Sequence, residues 1–173
     1  MKQTAVVMVD IINDFQFDEG PDLLKYTKEI LPNLKNLKNY ARKNDIPFIY
    51  INDHYDTWET DYKHIINVCE NDGNKEIIEQ MRPEKEDYFL IKPQLSGFFR
   101  SPLPSLLEQL EVKHLIIAGV AGNICVLFTA NDAHMRGYTL HVPENCVASN
   151  QQNYNDHALH LMKHVFTAST DPI

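Results

Sequence analysis

Apolar positions along the chain fall into two alternating patterns. Short, almost unbroken runs of Val, Ile, Leu, Phe and Tyr occupy residues 4–9, 47–52, 88–91, 114–118, 138–142 and 165–169. Runs of this length read as strands buried on both faces of a parallel sheet. Between them lie segments with helical spacing. Ile30, Leu31, Leu34, Leu37 and Ala41 predict a helix that ends before Asn44-Asp45, with Pro32 in its first turn. Further helices are predicted over 75–81, over 102–110 with Leu103, Leu106, Leu107 and Leu110, over 123–136, and over 153–163. The third of these runs into Gly137, a good C-terminal cap. This alternation predicts a three-layer α/β/α sandwich around a six-stranded, mostly parallel, Rossmann-like sheet with right-handed crossovers. The polar stretch 53–74, which contains Trp58, reads as a long functional loop.

Length adds that one domain, 1–173, accounts for the whole chain. A domain of this size buries about 68–70% of its extended-chain surface and needs neither disulfide nor metal to fold. The net charge of −8 argues against nucleic acid or an anionic membrane as partner, because both select Lys and Arg. Cys69, Cys125 and Cys146 are odd in number and lack CxxC spacing. They give no disulfide framework and no zinc signature, and they suit a reducing cytosol. No run approaches the ~18 apolar residues of a membrane span. After Met1-Lys2-Gln3 the apolar run 5–9 is too short for a leader core, so a cytoplasmic protein is expected.

Ligands of parallel sheets bind beyond the carboxyl ends of the strands, where strand order reverses. The first strand ends at Asp10, the second at Asn52-Asp53-His54 and the third at Lys92. The fourth runs into Gly119-Val120-Ala121-Gly122-Asn123-Ile124-Cys125. Cys125 falls at the start of a predicted helix, where amides and dipole stabilise a thiolate and lower a thiol pKa from ~8.5. The same amides could hold an oxyanion. The competing reading is a small buried hydrophobe, the commonest fate of free Cys. Asp10 and Lys92 are each costly to bury alone. They either neutralise one another or converge on the thiol, where a lysine favours the thiolate and a carboxylate carries the proton.

Taken together these segments resemble the isochorismatase-like cysteine hydrolases, a family that includes nicotinamidases and other small-amide hydrolases. The matching residues are Val7-Met8-Val9-Asp10 with Asn13-Asp14-Phe15, Ile91-Lys92-Pro93 with Ser96-Gly97-Phe98-Phe99, and 119–126 running on to Thr129-Ala130 and Asp132-Ala133. The resemblance covers essentially the whole chain in the right order. It implies a triad of Asp10, Lys92 and Cys125, a cis peptide between Val120 and Ala121, and an oxyanion hole from the Ala121 and Cys125 amides. Two positions depart from the family pattern. Ile12 stands where Gln is frequent, and Asn52 replaces the Asp of the Asp-x-His metal pair that His54 would complete. Losing that carboxylate weakens a divalent site even with His64 as a further ligand, so no metal is expected.

Phe15, Trp58 and Phe98 are candidates to line a substrate pocket, since such pockets are mostly apolar and aromatic. His157, His160 and His164 share one face of the last helix, read as solvated or subunit-facing. Gly119 and Gly122 form neither a GxGxxG nor a P-loop, so no cofactor is expected. The expected function is cysteine-dependent hydrolysis of a small carboxamide through a thioester, in a homo-oligomer (dimer or tetramer). Vinyl-ether hydrolysis with Asp10 as acid, and a non-catalytic binding or redox-sensing role, are the alternatives.

Overall fold

The computed structural model describes residues 3–173; Met1 and Lys2 of the opening segment lie outside the described residues. Strand β1 (Thr4–Val9) occupies the centre of the sheet and alternates its side chains between two cores. Val6 and Met8 point to one side, Ala5, Val7 and Val9 to the other, and all five are fully buried. On one side of β1 lie β2 (Phe48–Asp53) and then β3 (Tyr88–Lys92); on the other lies β4 (His114–Val120). Beyond β4, β5 (Thr139–His141) pairs with its first half and β6 (Val147–Ala148) with its end. Every pairing between these six strands is parallel. Strand order therefore reverses between β1 and β4, which run side by side in register from Thr4↔His114 to Val9↔Gly119.

Helices α1 (Gly20–Lys43), α2 (Tyr62–Cys69) and α3 (Lys75–Met81) cover the Val6/Met8 face. Helices α4 (Leu103–Gln109), α5 (Leu127–Met135) and α6 (Gln152–His164) cover the other. Leu23, Leu31, Leu34, Leu37 and Ala41 of α1 all enter the first core. Truncating Leu34 or Leu37 to Ala would cost about 2–5 kcal/mol in lost burial and cavity formation.

Several sequence expectations are corrected here. Helix α1 starts at Gly20, with Pro21 rather than Pro32 in its first turn. Pro32 sits inside it on the exposed face. The carbonyl it leaves unbonded, that of Lys28, is on that face too, where solvent can reach it. The expected strand 165–169 is reduced to a bridge between Ser169 and His141, because Val165 still closes α6 and Thr167 turns to φ 56. The sixth strand is instead β6, only two residues long and preceded by a 3-10 turn, Glu144–Cys146. The 53–74 stretch is not one loop. Asp61 caps α2 by accepting the Lys63 amide at 2.9 Å, and Ile65, Ile66 and Cys69 anchor that helix in the core.

Candidate active site

Three strand ends supply the polar centre. Past Val9 the chain turns left-handed at Asp10 (φ 46), whose amide donates to the Ile51 carbonyl at 3.0 Å. The turn leaves the Asp10 side chain at the β1/β4 reversal, 6% exposed. One carboxylate oxygen accepts the Asp53 amide at 2.8 Å, and the other accepts Lys92 Nζ at 2.8 Å. Lys92 closes β3, two strands away, and extends past the end of β2 to reach it. Its ammonium also donates to the Gln94 carbonyl at 3.1 Å and to Cys125 Sγ at 3.6 Å. Those three partners match the three protons of an ammonium, which is how a lysine only 1% exposed stays charged.

Cys125 lies in a π-helical turn, Gly122–Val126, that leads into α5. The Val120–Ala121 peptide before it is cis, and the Ala121 carbonyl accepts the amides of Ile124 and Val126, each at 3.1 Å. Only a glycine fits at 122. A Cβ there would lie 2.3 Å from Asn155 Oδ1 and 2.6 Å from Val147 Cγ1, so the turn packs directly on β6 and α6. Beneath the thiol, Gly97 in the loop after β3 donates its amide to Thr129 Oγ1 at 2.9 Å, and Ser96 donates to Asp132 at 2.5 Å. These two bonds tie the Lys92 loop to the helix that carries Cys125.

Electrostatics at the thiol differ from the sequence expectation of a lowered pKa. Burial, and then the Asp10 charge, push the Cys125 thiol up, and Lys92 opposes them only in part. Burial also raises Asp10 above the usual carboxylate range, against the pull of Lys92. Burial works to lower Lys92, yet the Asp10 and Cys125 charges raise it overall, so it remains an ammonium. A thiol raised by burial therefore faces a carboxylate that burial raises as well.

A cleft of about 440 Å³ opens over this centre. Phe17, Tyr55, Leu95 and Ile124 supply its apolar walls, and Asp14, Glu19, Asp53 and Asn150 add polar groups. None of the three expected aromatics lines it. Phe15 is turned into the core by φ 56 and by the Asn13 side chain accepting its amide at 2.8 Å; Phe17, two residues on, faces the cleft instead. Phe98 is buried in the core on the α5 side, under the Arg136 guanidinium at 4.9 Å. Trp58 is 62% exposed and stacks on His54, ring centroids 4.1 Å apart. Asp14 stands inside a motif the sequence already singled out, and Asp53 and Ile124 adjoin strand-end candidates. Glu19 and Asn150 carried no local signal.

The donor set does not fit the metal site of the family's Asp-x-His pattern. Asn52 is 1% exposed and uses both ends of its amide on Ile12, accepting its N–H at 3.2 Å and donating to its carbonyl at 2.9 Å. His54 Nδ1 accepts the Asp56 amide at 2.9 Å, and the half-buried His64 faces Glu59. Among the described residues no three His, Cys, Asp or Glu side chains gather to hold an ion. Asn52 instead fixes the loop after Asp10.

A buried acid, ammonium and thiol at the reversal point of a parallel sheet put the protein among the α/β enzymes that work at their strand ends. The isochorismatase-domain family model matches residues 4–171, and the chain belongs to that family of hydrolases. It is 50% identical over 164 residues to the uncharacterized isochorismatase family protein YaaI of Bacillus subtilis, covering 95% of this chain and 91% of that one. The nicotinamidase SaPncA from Staphylococcus aureus superposes with a TM-score of 0.78 at 27% identity, over 99% of both chains. The N-carbamoylsarcosine amidase from Thermoplasma acidophilum gives 0.74 at 26%, over 98% of this chain and 96% of that one. Among the described residues no helix is long and apolar enough to cross a membrane.

Proposed function

We propose that the protein hydrolyses a small carboxamide through a thioester on Cys125. The observation that carries this reading is Lys92 Nζ standing 2.8 Å from Asp10 and 3.6 Å from Cys125 Sγ at the floor of the cleft. Asp10 takes the thiol proton as sulfur attacks the carbonyl carbon. The C–S bond forms and the carbonyl electron pair moves to oxygen. The Ala121 and Cys125 amides hold that oxyanion, each donor contributing about 2.7–4 kcal/mol of transition-state stabilisation. Asp10 then returns the proton to the departing nitrogen, and the C–N bond breaks. Water, deprotonated by Asp10, attacks the thioester, and the C–S bond breaks to give the carboxylic acid and the free thiol. Lys92 keeps its charge throughout and orients Asp10. Two of the similar solved structures carry amide-cleaving names, a nicotinamidase and an amidase, which supports the amide class.

Ammonia release from a panel of small amides, with wild type and Cys125→Ala compared, tests this. Wild type turns over at least one amide and shows a mass adduct on the peptide carrying Cys125; the variant folds and does neither. Amidase activity retained in Cys125→Ala would overturn the nucleophile assignment. Cleavage of a vinyl ether by that variant would favour the second reading, in which Asp10, raised by burial, acts as a general acid.

Three free cysteines support a reducing, cytoplasmic setting, and the acidic charge supports a small molecule rather than nucleic acid as partner. Phe128, Leu161 and Val165 leave apolar surface exposed on and after the last two helices, which supports assembly of further copies as a dimer or tetramer. Light scattering on the purified protein tests that state.

A further inference from the structure

The turn that carries Cys125 has two faces. Ala121, Ile124 and Cys125 line the cleft, whereas Gly122 and Asn123 face β6 and α6. In a regular helix the Asn123 amide would bond the carbonyl four residues back, but that residue is Gly119, still within β4. The amide donates instead to the Ser149 hydroxyl, at 3.0 Å. Gly122 makes the room for this contact, since a Cβ there would lie 2.9 Å from Ser149 Oγ.

Ser149 follows β6 and is 1% exposed. Its own proton goes to Asn155 Oδ1 at 2.8 Å, and Asn155 Nδ2 donates to the Val147 carbonyl at 3.2 Å. The bond to Val147 fixes which end of the Asn155 amide meets Ser149. Asn155 in turn fixes the hydroxyl proton, which leaves an Oγ lone pair for the Asn123 amide. All three donors point the same way along this relay, so each bond polarises the next. The relay ends at Val147, which pairs with Gly119 just before the turn. Neither Ser149 nor Asn155 lines the cleft, so both act on the chemistry only through the turn.

We infer that Ser149 and Asn155 are positioning residues for acyl transfer: from behind the turn they set the direction in which the Ala121 and Cys125 amides meet an oxyanion. This rests on the proposed attack by the Cys125 sulfur on a carbonyl, and not on an amide being the substrate.

Two reagents separate this role from a merely structural one. Acetylation of Cys125 by para-nitrophenyl acetate passes through an oxyanion. Sγ bonds to the carbonyl carbon, the thiol proton goes to Asp10, and the ester C–O bond breaks to release nitrophenolate. Alkylation by iodoacetamide displaces iodide from a saturated carbon and forms no oxyanion. Cys69 and Cys146 are 1% and 0% exposed, and the mass of the peptide carrying Cys125 reports each rate. The ratio of acetylation to alkylation is expected to fall about tenfold in Ser149→Ala and in Asn155→Ala, less than the loss of about 10²–10³ when an oxyanion donor is removed outright. If one variant does not fold, the other decides. An unchanged ratio in a folded variant, even with both rates lowered, overturns the inference. So does a wild-type Cys125 that is alkylated but not acetylated, or that neither reagent reaches. A fall in the ratio with no amide turned over would defeat the proposed reaction and leave the relay standing.

Discussion

Thr129 donates its hydroxyl to the Cys125 carbonyl at 2.6 Å, four residues back along the same helical path. The same oxygen accepts the Gly97 amide at 2.9 Å, so one buried side chain joins the turn bearing the thiol to the loop that follows Lys92. Thr129→Val keeps the shape and removes both bonds, leaving the Gly97 amide buried without a partner. The expected cost is about 1–3 kcal/mol, read as a lower urea midpoint. Turnover should fall further than this stability loss explains, because the thiol and ammonium are no longer held together. An unchanged midpoint and unchanged kcat would show that the two loops are positioned by other contacts.

The Cys125–Asp10 pair gives a prediction with a definite sign. The Asp10 charge is one of the forces raising the thiol, and Lys92 is the force lowering it. Asp10→Asn should therefore move the pH profile of Cys125 alkylation to lower pH, while Lys92→Met should move it to higher pH. Both variants should lose amide turnover, Asp10→Asn by about 10²–10⁴ for the loss of the acid–base group. In Asp10→Asn activity and thiol reactivity move in opposite directions. That pattern separates a missing proton carrier from a damaged nucleophile. Alkylation profiles that coincide for all three proteins would remove both residues from the thiol's electrostatics.

Much of this site was legible because strands buried on both faces announce themselves as apolar runs, and their ends then mark Asp10 and Lys92. Cys125 followed from its place after the fourth run. The rest depended on conformation rather than pattern. Phe15 and Phe17 are equally aromatic, and only the left-handed turn at Phe15 decides which one reaches the cleft. Val147–Ala148 is a strand only because β4 pairs with it; two residues carry no periodicity. The run 165–169 looked like a strand, but Val165 completes a helix instead. Glu19 and Asn150 meet across 131 residues of sequence, a contact that no local spacing encodes. Asn52, read as a damaged metal ligand, proved to be a clip on the Ile12 backbone.

Buried thiols make the fold sensitive to alkali. Burial pushes Cys69 and Cys146 up to about 12, whereas an unfolded thiol titrates near ~8.5. Between these values the native state binds more protons than the unfolded chain, so stability falls as pH rises, by up to about 1.4 kcal/mol per pH unit for each thiol. Lys92, Tyr50 and Tyr55 are also raised and act in the same direction, while Lys38, lowered by burial, acts against them. Urea midpoints should hold up to about pH 8.5 and then decline. A Cys69→Ala, Cys146→Ala double variant should show a shallower slope, whatever its midpoint at pH 7. An equal slope would mean that the thiols do not set the alkaline limit.

A close backbone approach between β4 and β1 predicts a sharp difference between two glycines. Gly119 has φ +114, and a Cβ added there would lie 2.1 Å from the Val9 carbonyl oxygen and 2.8 Å from the Val9 nitrogen. Those atoms belong to β1, one residue before Asp10, so they cannot yield without moving the acid. Gly119→Ala should cost about 2–5 kcal/mol from backbone strain and overpacking together. It should also depress kcat strongly, since a displacement of ~1 Å at reacting groups costs about 100-fold. Gly137 has φ +82 with open space around its Cβ position, far along the chain beyond α5. Gly137→Ala should carry only the left-handed penalty, about 1–2 kcal/mol, and leave kcat as it is. Urea denaturation and turnover of both variants decide the point. If the two behave alike, the contact between β4 and β1 does not hold Asp10 in register with Cys125.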